Sequence, residues 1–137
     1  MHYTAPRWLP GGNLQTIVPA ALSMKPQVAF RRERWSTPDQ DFIDVDFVDG
    51  KPGQPLVVLF HGLEGSSDSH YARSLMAAVA ARGWSGAIPH FRGCSGEINI
   101  APRFYHSGDS GEVDWVLRRL IEHRNASGAG KFYAAGV

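Results

Sequence analysis

The pattern of apolar and polar positions predicts a chain in which strands and helices alternate. The clearest strand is Leu56–Phe60, an uninterrupted apolar run typical of a strand that is buried on both faces of a sheet. In Phe42–Val48, apolar residues alternate with Asp44 and Asp46, which is the period expected for an early edge strand with one face in water. The two carboxylates are therefore predicted to be solvated rather than catalytic or metal-binding.

Two helices and three further strands follow from the remaining periodicity. Helices are predicted over 69–82 and about 109–124, and strands over 28–35, 84–90 and 131–137. The side chains expected to share the apolar faces of the two helices are Tyr71, Leu75, Ala78 and Val79 in the first, and Val113, Val116, Leu117, Leu120 and Ile121 in the second.

The resulting order is β-β-β-α-β-α-β, with two antiparallel strands ahead of a βαβαβ unit. Such alternation predicts an α/β fold with a mostly parallel sheet and helices on both faces. Residues 28–137 then form the first strands and helices of a single domain. Residues 1–27 are rich in proline and glycine, so they are predicted to form an N-terminal arm, with Trp8 and Leu9 packed against the body.

Composition narrows the possible partners and location. The 137 residues are 43% hydrophobic and 20% charged, which is ordinary for one globular domain or a piece of a larger one. A net charge of +1 gives no reason to expect a nucleic-acid partner. No apolar run reaches the roughly 18 residues of a membrane-spanning helix, and the N-terminus lacks the apolar region of a secretory signal. The single cysteine fits a reducing compartment, so a cytoplasmic location is predicted.

Cofactor and metal motifs are missing from the expected positions. The turn after Leu56–Phe60 lacks the G-x-G-x-x-G pattern of dinucleotide-binding proteins. Gly130 and Lys131 lie before a strand and are followed by Phe132, so they do not form a P-loop. The six histidines and the single cysteine show no metal-binding spacing. Neither a cofactor nor a metal is therefore predicted.

The turn itself predicts an oxyanion hole. A buried strand that ends in His61-Gly62-x-x-Gly65 presents backbone N–H groups at the carboxyl edge of the sheet, where they can bind a developing oxyanion. The donor is predicted to be the backbone N–H of Leu63, supported by His61, Gly62 and Gly65. His61 is expected to fix the loop through hydrogen bonds, and Glu64 to point to solvent or to a basic partner.

Four stretches of the chain resemble, in order, motifs of the YheT-like, or AB hydrolase 4, branch of the α/β-hydrolase superfamily. They are residues 8–19 (WLPGGNLQTIVP), 60–66 (FHGLEGS), 90–97 (HFRGCSGE) and 105–108 (YHSG). The resemblance implies an eight-stranded α/β-hydrolase fold and a Ser–Asp–His triad that hydrolyses carboxylic esters, as in esterases and lipases. The implied substrate is a small-molecule or lipid ester.

The resemblance also implies that the triad lies outside these residues. In the family the strand corresponding to 131–137 runs into a Gly-x-Ser-x-Gly nucleophile elbow, and Gly136-Val137 resembles its first two residues. The nucleophilic serine is therefore expected directly after Val137, and the chain is expected to be the N-terminal part of the domain. Ser95 and Cys94 follow a different strand without this spacing, so neither is expected to replace that serine.

Two functional hypotheses remain open at this point. In the first, the intact protein is a serine hydrolase and this chain carries the oxyanion-loop half of its site. In the second, the chain is a catalytically inactive truncated fragment with at most a binding role. In either case its last strand, 131–137, would have an unpaired edge that can pair with the missing C-terminal part or with another chain.

Overall fold

Three helices and five strands follow one another in the computed structural model, which describes residues 4–22, 24–106, 108–126, 128 and 130–137. No helix in these ranges is long and apolar enough to cross a membrane. The elements are α1 (Gly12–Leu22), β1 (Arg31–Ser36), β2 (Phe42–Val48), β3 (Leu56–Phe60), α2 (His70–Ala81), β4 (Ser85–Pro89), α3 (Ser110–Ala126) and β5 (Phe132–Gly136).

The strands form one mixed sheet in the order β1-β2-β4-β3-β5. The first strand pairs antiparallel with β2, and β2 pairs antiparallel with β4. The apolar strand β3 lies between β4 and β5 and is parallel to both. This arrangement confirms the predicted fold class, a mostly parallel α/β sheet led by two antiparallel strands. It also places the carboxyl ends of β3, β4 and β5 at the same edge.

Two apolar cores lie on opposite faces of the sheet, one under each long helix. Complete burial of a large aliphatic side chain stabilises the fold by about 1.5–3 kcal/mol, so both cores hold the helices firmly to the sheet. The core under α3 contains Trp35, Ile43, Val45, Phe47, Leu56, Val58, Ala87, Val116 and Leu120. The core under α2 contains Val48, Leu59, Ala72, Met76 and Ile88.

The α2 face predicted to be apolar coincides only in part with the face that is buried. The buried residues of α2 are Ala72, Met76 and Val79, whereas Tyr71 and Ala78 are exposed. Val79 is buried and Leu75 packs against the core as predicted, so apolar spacing identifies the helix and half of its buried face. In the N-terminal arm Leu9 is buried as predicted, but Trp8 is 72% exposed, so its predicted packing is wrong.

The expectation of a solvated Asp44 and Asp46 is also wrong. Strand β2 has a neighbour on each side and every one of its residues is buried. The register places Arg34 opposite Asp44 and Arg32 opposite Asp46, and each arginine binds its aspartate through both carboxylate oxygens at 2.7–2.8 Å. The polar positions of the alternating pattern face counter-ions rather than water.

Arg92 forms a second buried ionic centre beyond the end of β4. Its guanidinium binds Asp41 at 2.9 Å, Asp39 at 2.8 Å and Glu112 at 2.6 Å. Arg92 lowers the pKa of Asp39 to about 2, because the ionised carboxylate accepts its hydrogen bonds. These bonds join the β1–β2 turn to the first turn of α3 across the edge of the sheet where the strands β3 to β5 end.

Candidate active site

The 61–65 loop and the end of β5 lie side by side, as the parallel topology requires. The Val137 N–H donates to the Phe60 carbonyl at 3.2 Å. A Cβ atom on Gly62 would lie 3.4 Å from the Val137 carbonyl oxygen, which is van der Waals contact. The predicted loop is therefore in direct contact with the strand end after which the resemblance expects a nucleophile.

The loop is a tight turn with a local requirement for glycine. The Gly65 N–H closes the turn onto the Gly62 carbonyl at 2.9 Å, and Glu64 adopts a φ of 52°, in the left-handed region. A Cβ on Gly65 would lie 2.5 Å from the Tyr71 hydroxyl and 2.9 Å from the Gly62 oxygen. Close approach, rather than backbone angle, thus requires glycine at position 65.

His61 braces this loop against the neighbouring strand end. Its ring is buried, its Nδ1 lies 2.9 Å from the Gly62 carbonyl oxygen, and its Nε2 accepts the Phe91 N–H at 3.1 Å. Since the carbonyl is an acceptor and Phe91 a donor, the ring is neutral and carries its proton on Nδ1. Burial lowers the pKa of His61, which favours this neutral form. Both nitrogens are occupied, so His61 acts through the backbone it holds.

Two tyrosine hydroxyls accept hydrogen bonds from the backbone N–H groups on either side of Leu63. The Gly62 N–H donates to Tyr71 Oη at 3.0 Å, and the Glu64 N–H donates to Tyr105 Oη at 2.6 Å. The Leu63 N–H has no hydrogen-bond acceptor within the part of the chain that the structure describes. Of the four amides from Gly62 to Gly65, this is the one without an acceptor among the described residues, and it belongs to the residue predicted from the sequence.

A largely apolar cleft of about 330 Å³ opens beside this loop. Val137 at its edge is 73% exposed, and the Leu63 side chain is 88% exposed. Glu64 is also exposed and forms no ion pair with any described residue, so it points to solvent. The cleft is lined by Phe60, His61, Gly62, Leu63, Phe91, Tyr105, His106, Gly108, Asp109, Ser110, Val113, Gly136 and Val137.

A serine, an aspartate and a histidine also meet below the loop, but in an order that does not activate a nucleophile. Ser67 Oγ donates to Asp46 Oδ2 at 2.5 Å, and His90 Nε2 lies 2.8 Å from the same oxygen. A catalytic triad needs the histidine between the other two, whereas here Asp46 stands in the middle. Burial would raise the pKa of Asp46, but hydrogen bonds from Arg32, His90 and Ser67 bring it well below its usual range.

The other chemically active side chains of the described region do not form a reactive group. No described serine hydroxyl is in hydrogen-bond contact with a histidine ring. Burial raises the pKa of the Cys94 thiol, which disfavours the nucleophilic thiolate. No group of three histidine, cysteine, aspartate or glutamate side chains among the described residues is arranged to hold a metal ion.

Tyr71 and Tyr105 are the site residues that sequence reasoning missed. Apolar spacing places Tyr71 on the apolar face of its helix, and the sequence distinguishes Tyr105 only as part of the 105–108 motif. A tyrosine in the first turn after a glycine loop can reach back to the loop backbone, so the position of Tyr71 was an available signal. The contact of Tyr105 spans 41 residues and had no local signal.

Comparison with known proteins shows which proteins this chain is similar to. The chain is 43% identical over 112 residues to "Putative esterase YheT" of Escherichia coli, which covers 79% of this chain and 33% of that protein. It is 25% identical over 138 residues to human "Phospholipase ABHD3", covering 95% of this chain and 33% of the relative. The chain thus spans about a third of the length of these curated relatives. No family model matches it.

Solved structures agree at the level of the fold. An alpha-beta serine hydrolase homologue from Coxiella burnetii superposes with a TM-score of 0.56 at 14% identity, over 82% of this chain and 53% of that structure. The likeness shows that the five strands and their helices form part of an α/β-hydrolase fold. Together the sequence relatives and the fold confirm the resemblance of this chain to the YheT-like α/β-hydrolases.

Proposed function

We propose that the protein containing this chain is a serine hydrolase of carboxylic esters, and that the Leu63 N–H is one donor of its oxyanion hole. The observation that carries the proposal is the Leu63 N–H, which has no acceptor among the described residues and follows the carboxyl end of β3 in a loop that touches the end of β5. The names of the relatives, an esterase and a phospholipase, support ester hydrolysis as the reaction class.

In the proposed reaction this loop stabilises the negative charge that develops on the ester carbonyl oxygen. A serine oxygen supplied directly after Val137 attacks the ester carbonyl carbon, and a histidine from elsewhere in the protein takes the serine proton. The carbonyl oxygen becomes an oxyanion and accepts the Leu63 N–H, together with the N–H of the residue after the serine. The alcohol then leaves and water hydrolyses the acyl-enzyme.

The cleft supports an ester with an apolar part as the substrate class. Its walls include Phe60, Phe91 and Val113, while its polar groups cluster at the loop and the start of α3. Such a division suits a ligand with one polar reacting centre and an apolar chain or ring. A small-molecule or lipid ester has this form.

The test removes the proposed donor and uses a second substitution at the same position to control for the change in the cleft lining. In the complete protein, Leu63→Pro deletes the N–H, while Leu63→Ala keeps it and trims an exposed side chain. Loss of one oxyanion donor lowers kcat by about 10²–10³-fold, so Leu63→Pro should show this loss and Leu63→Ala should not. Equal kcat in the proline variant and the wild type, with both proteins folded, would refute the assignment.

An inactive fragment is the second candidate function, and the edge of β5 favours it for the 137-residue chain alone. Among the described strands β5 pairs only with β3, and its residues from Tyr133 to Gly136 are exposed. We expect the isolated chain to associate or aggregate through this edge and not to react with a fluorophosphonate. A monomer with cooperative unfolding would argue against association, and labelling at a serine would argue against inactivity.

A further inference from the structure

Three successive backbone N–H groups of the 61–65 loop differ in what they bind. The first and third, from Gly62 and Glu64, donate to the hydroxyls of Tyr71 and Tyr105. Only the middle one, from Leu63, lacks an acceptor among the described residues. The three groups lie on one short turn, so any of them could compete for an anionic ligand if it were free.

We infer that Tyr71 and Tyr105 are positioning residues that occupy the flanking amides and so leave the Leu63 N–H as the one amide between Gly62 and Gly65 that is open to a ligand among the described residues. The inference rests on the proposed function for its catalytic meaning. Its structural content, two phenol oxygens that hold a loop in one donor geometry, can be measured separately.

The surroundings of the two tyrosines fit this role. Tyr105 stacks on Phe91 with ring centroids 5.1 Å apart and an interplanar angle of 11°, and the Phe91 N–H is bound by His61. The Tyr105 ring is therefore fixed by the same strand end that fixes the loop. Tyr71 is in the first turn of α2, which Ala72 and Met76 anchor in the core. The hydroxyls thus come from two different rigid supports.

Glycine at position 65 supports the same reading. A Cβ there would come within 2.5 Å of the Tyr71 hydroxyl, so the absent side chain makes room for the phenol oxygen. Glu64 holds a φ of 52°, which a side-chain-bearing residue rarely adopts, and the bond from its N–H to Tyr105 stabilises that conformation. The close approach at Gly65 therefore occurs at the Tyr71 contact, and the positive φ of Glu64 occurs at the Tyr105 contact.

The experiment compares Tyr71→Phe and Tyr105→Phe in the complete protein with Tyr133→Phe as the matched control. Each change deletes one phenol oxygen and retains the ring, but Tyr133 is on β5 and contacts Trp84 rather than the loop. Two quantities are measured: hydrogen exchange of the Gly62 and Glu64 amides at residue resolution, and kcat and KM with a soluble ester.

We expect exchange of the Gly62 amide to accelerate in Tyr71→Phe and of the Glu64 amide in Tyr105→Phe. We also expect kcat to fall about threefold to tenfold with KM unchanged, because a neutral hydrogen bond is worth that much. The control should alter neither quantity. Wild-type exchange in both phenylalanine variants, or a lower kcat without faster exchange, would overturn the inference.

The Leu63 variants keep this result distinct from the proposed function. If the tyrosine variants accelerate exchange but Leu63→Pro leaves kcat intact, the oxyanion assignment fails while the two hydroxyls are still shown to hold the loop. If Leu63→Pro abolishes activity and the tyrosine variants match the wild type in exchange and kcat, the oxyanion assignment stands and the positioning role is wrong.

Discussion

Two polar regions lie at the same edge of the sheet and differ in whether their polar groups have hydrogen-bond or ionic partners. In the ionic network, formed by Arg32 and Arg34 with Asp44 and Asp46 and by Arg92 with its carboxylates, buried charges are matched by several partners. The one described buried side-chain atom left without a partner is Glu112 Oε1. In the 61–65 loop, an exposed backbone donor is left unused.

The difference separates a role in stability from a role in binding. A group that is already saturated by the protein has nothing to offer a ligand, whereas a donor held in place without an acceptor can bind one without rearrangement. Ser67, Asp46 and His90 are the three residue types of a hydrolase triad. Both Ser67 and His90 bind Asp46 rather than each other, so the three residues belong to the ionic network. The Leu63 N–H is a backbone group, yet it is a better candidate for binding a ligand than these three side chains.

Arg92→Leu should cause the largest loss of stability. Arg92 is buried with Asp41 and Glu112, and its removal leaves two buried carboxylates without their counter-charge. Breaking such a pair costs about 3–5 kcal/mol in the free energy of unfolding. Denaturant unfolding of the complete protein measures this, with Arg118→Leu as control because Arg118 is exposed and paired only on the surface. A similar small loss in both variants would contradict the buried network.

Asp46→Asn should lower the free energy of unfolding by less, about 2 kcal/mol. Arg32 is half-exposed, so water can solvate its guanidinium once the Asp46 carboxylate charge is gone. The Ser67 and His90 bonds become weaker rather than absent. Since we assign Asp46 to stability, kcat measured well below the unfolding temperature should stay near the wild-type value. A large loss of kcat in a folded protein would place Asp46 in the catalytic machinery instead.

The two regions should also lose stability in different pH ranges. His61 is neutral in the fold with a lowered pKa, so as pH falls below about 6.5 the unfolded chain takes up a proton first and stability drops. Asp44 and Asp46 also have lowered pKa values, so their contribution is present above about pH 4 and is lost as pH falls further.

Unfolding of wild type and His61→Asn at about pH 7.5 and about pH 5.5 isolates the first range, because the side-chain carboxylates stay largely ionised there in the unfolded chain. The wild type should lose more stability than the variant between these two values. Equal losses would mean that burial of neutral His61 is not the cause, and that another histidine titrates instead.

The sequence was enough to predict the order of the elements, because apolar periodicity indicates which positions are buried. It was also enough to predict the 61–65 loop, because closely spaced glycines are typical of tight turns. It could not tell whether Asp44 faces water or an arginine, since a period of two only says that alternate positions differ. The antiparallel register that brings Arg34 opposite Asp44 depends on the turn between the strands. The hydroxyl of Tyr105 reaches Glu64 only through the tertiary fold, so the source of the loop's rigidity was beyond prediction.

The smallest expected effect concerns backbone strain, and it tests whether the loop is special beyond its hydrogen bonds. Glu64 and Gln40 are the described non-glycine residues with positive φ, 52° and 62°, one in each region. Replacing either with glycine relieves a left-handed strain of about 1–2 kcal/mol but gives the unfolded chain more freedom, about 0.5–1 kcal/mol. Each variant should therefore gain between zero and about 1.5 kcal/mol in the free energy of unfolding measured with denaturant.

A gain in Gln40→Gly with a loss in Glu64→Gly would show that the exposed Glu64 side chain itself stabilises the loop. That result would contradict its assignment to solvent. Equal gains would instead mean that the loop tolerates its strain as an ordinary turn does. What distinguishes the loop would then be only the donor that it leaves unbound.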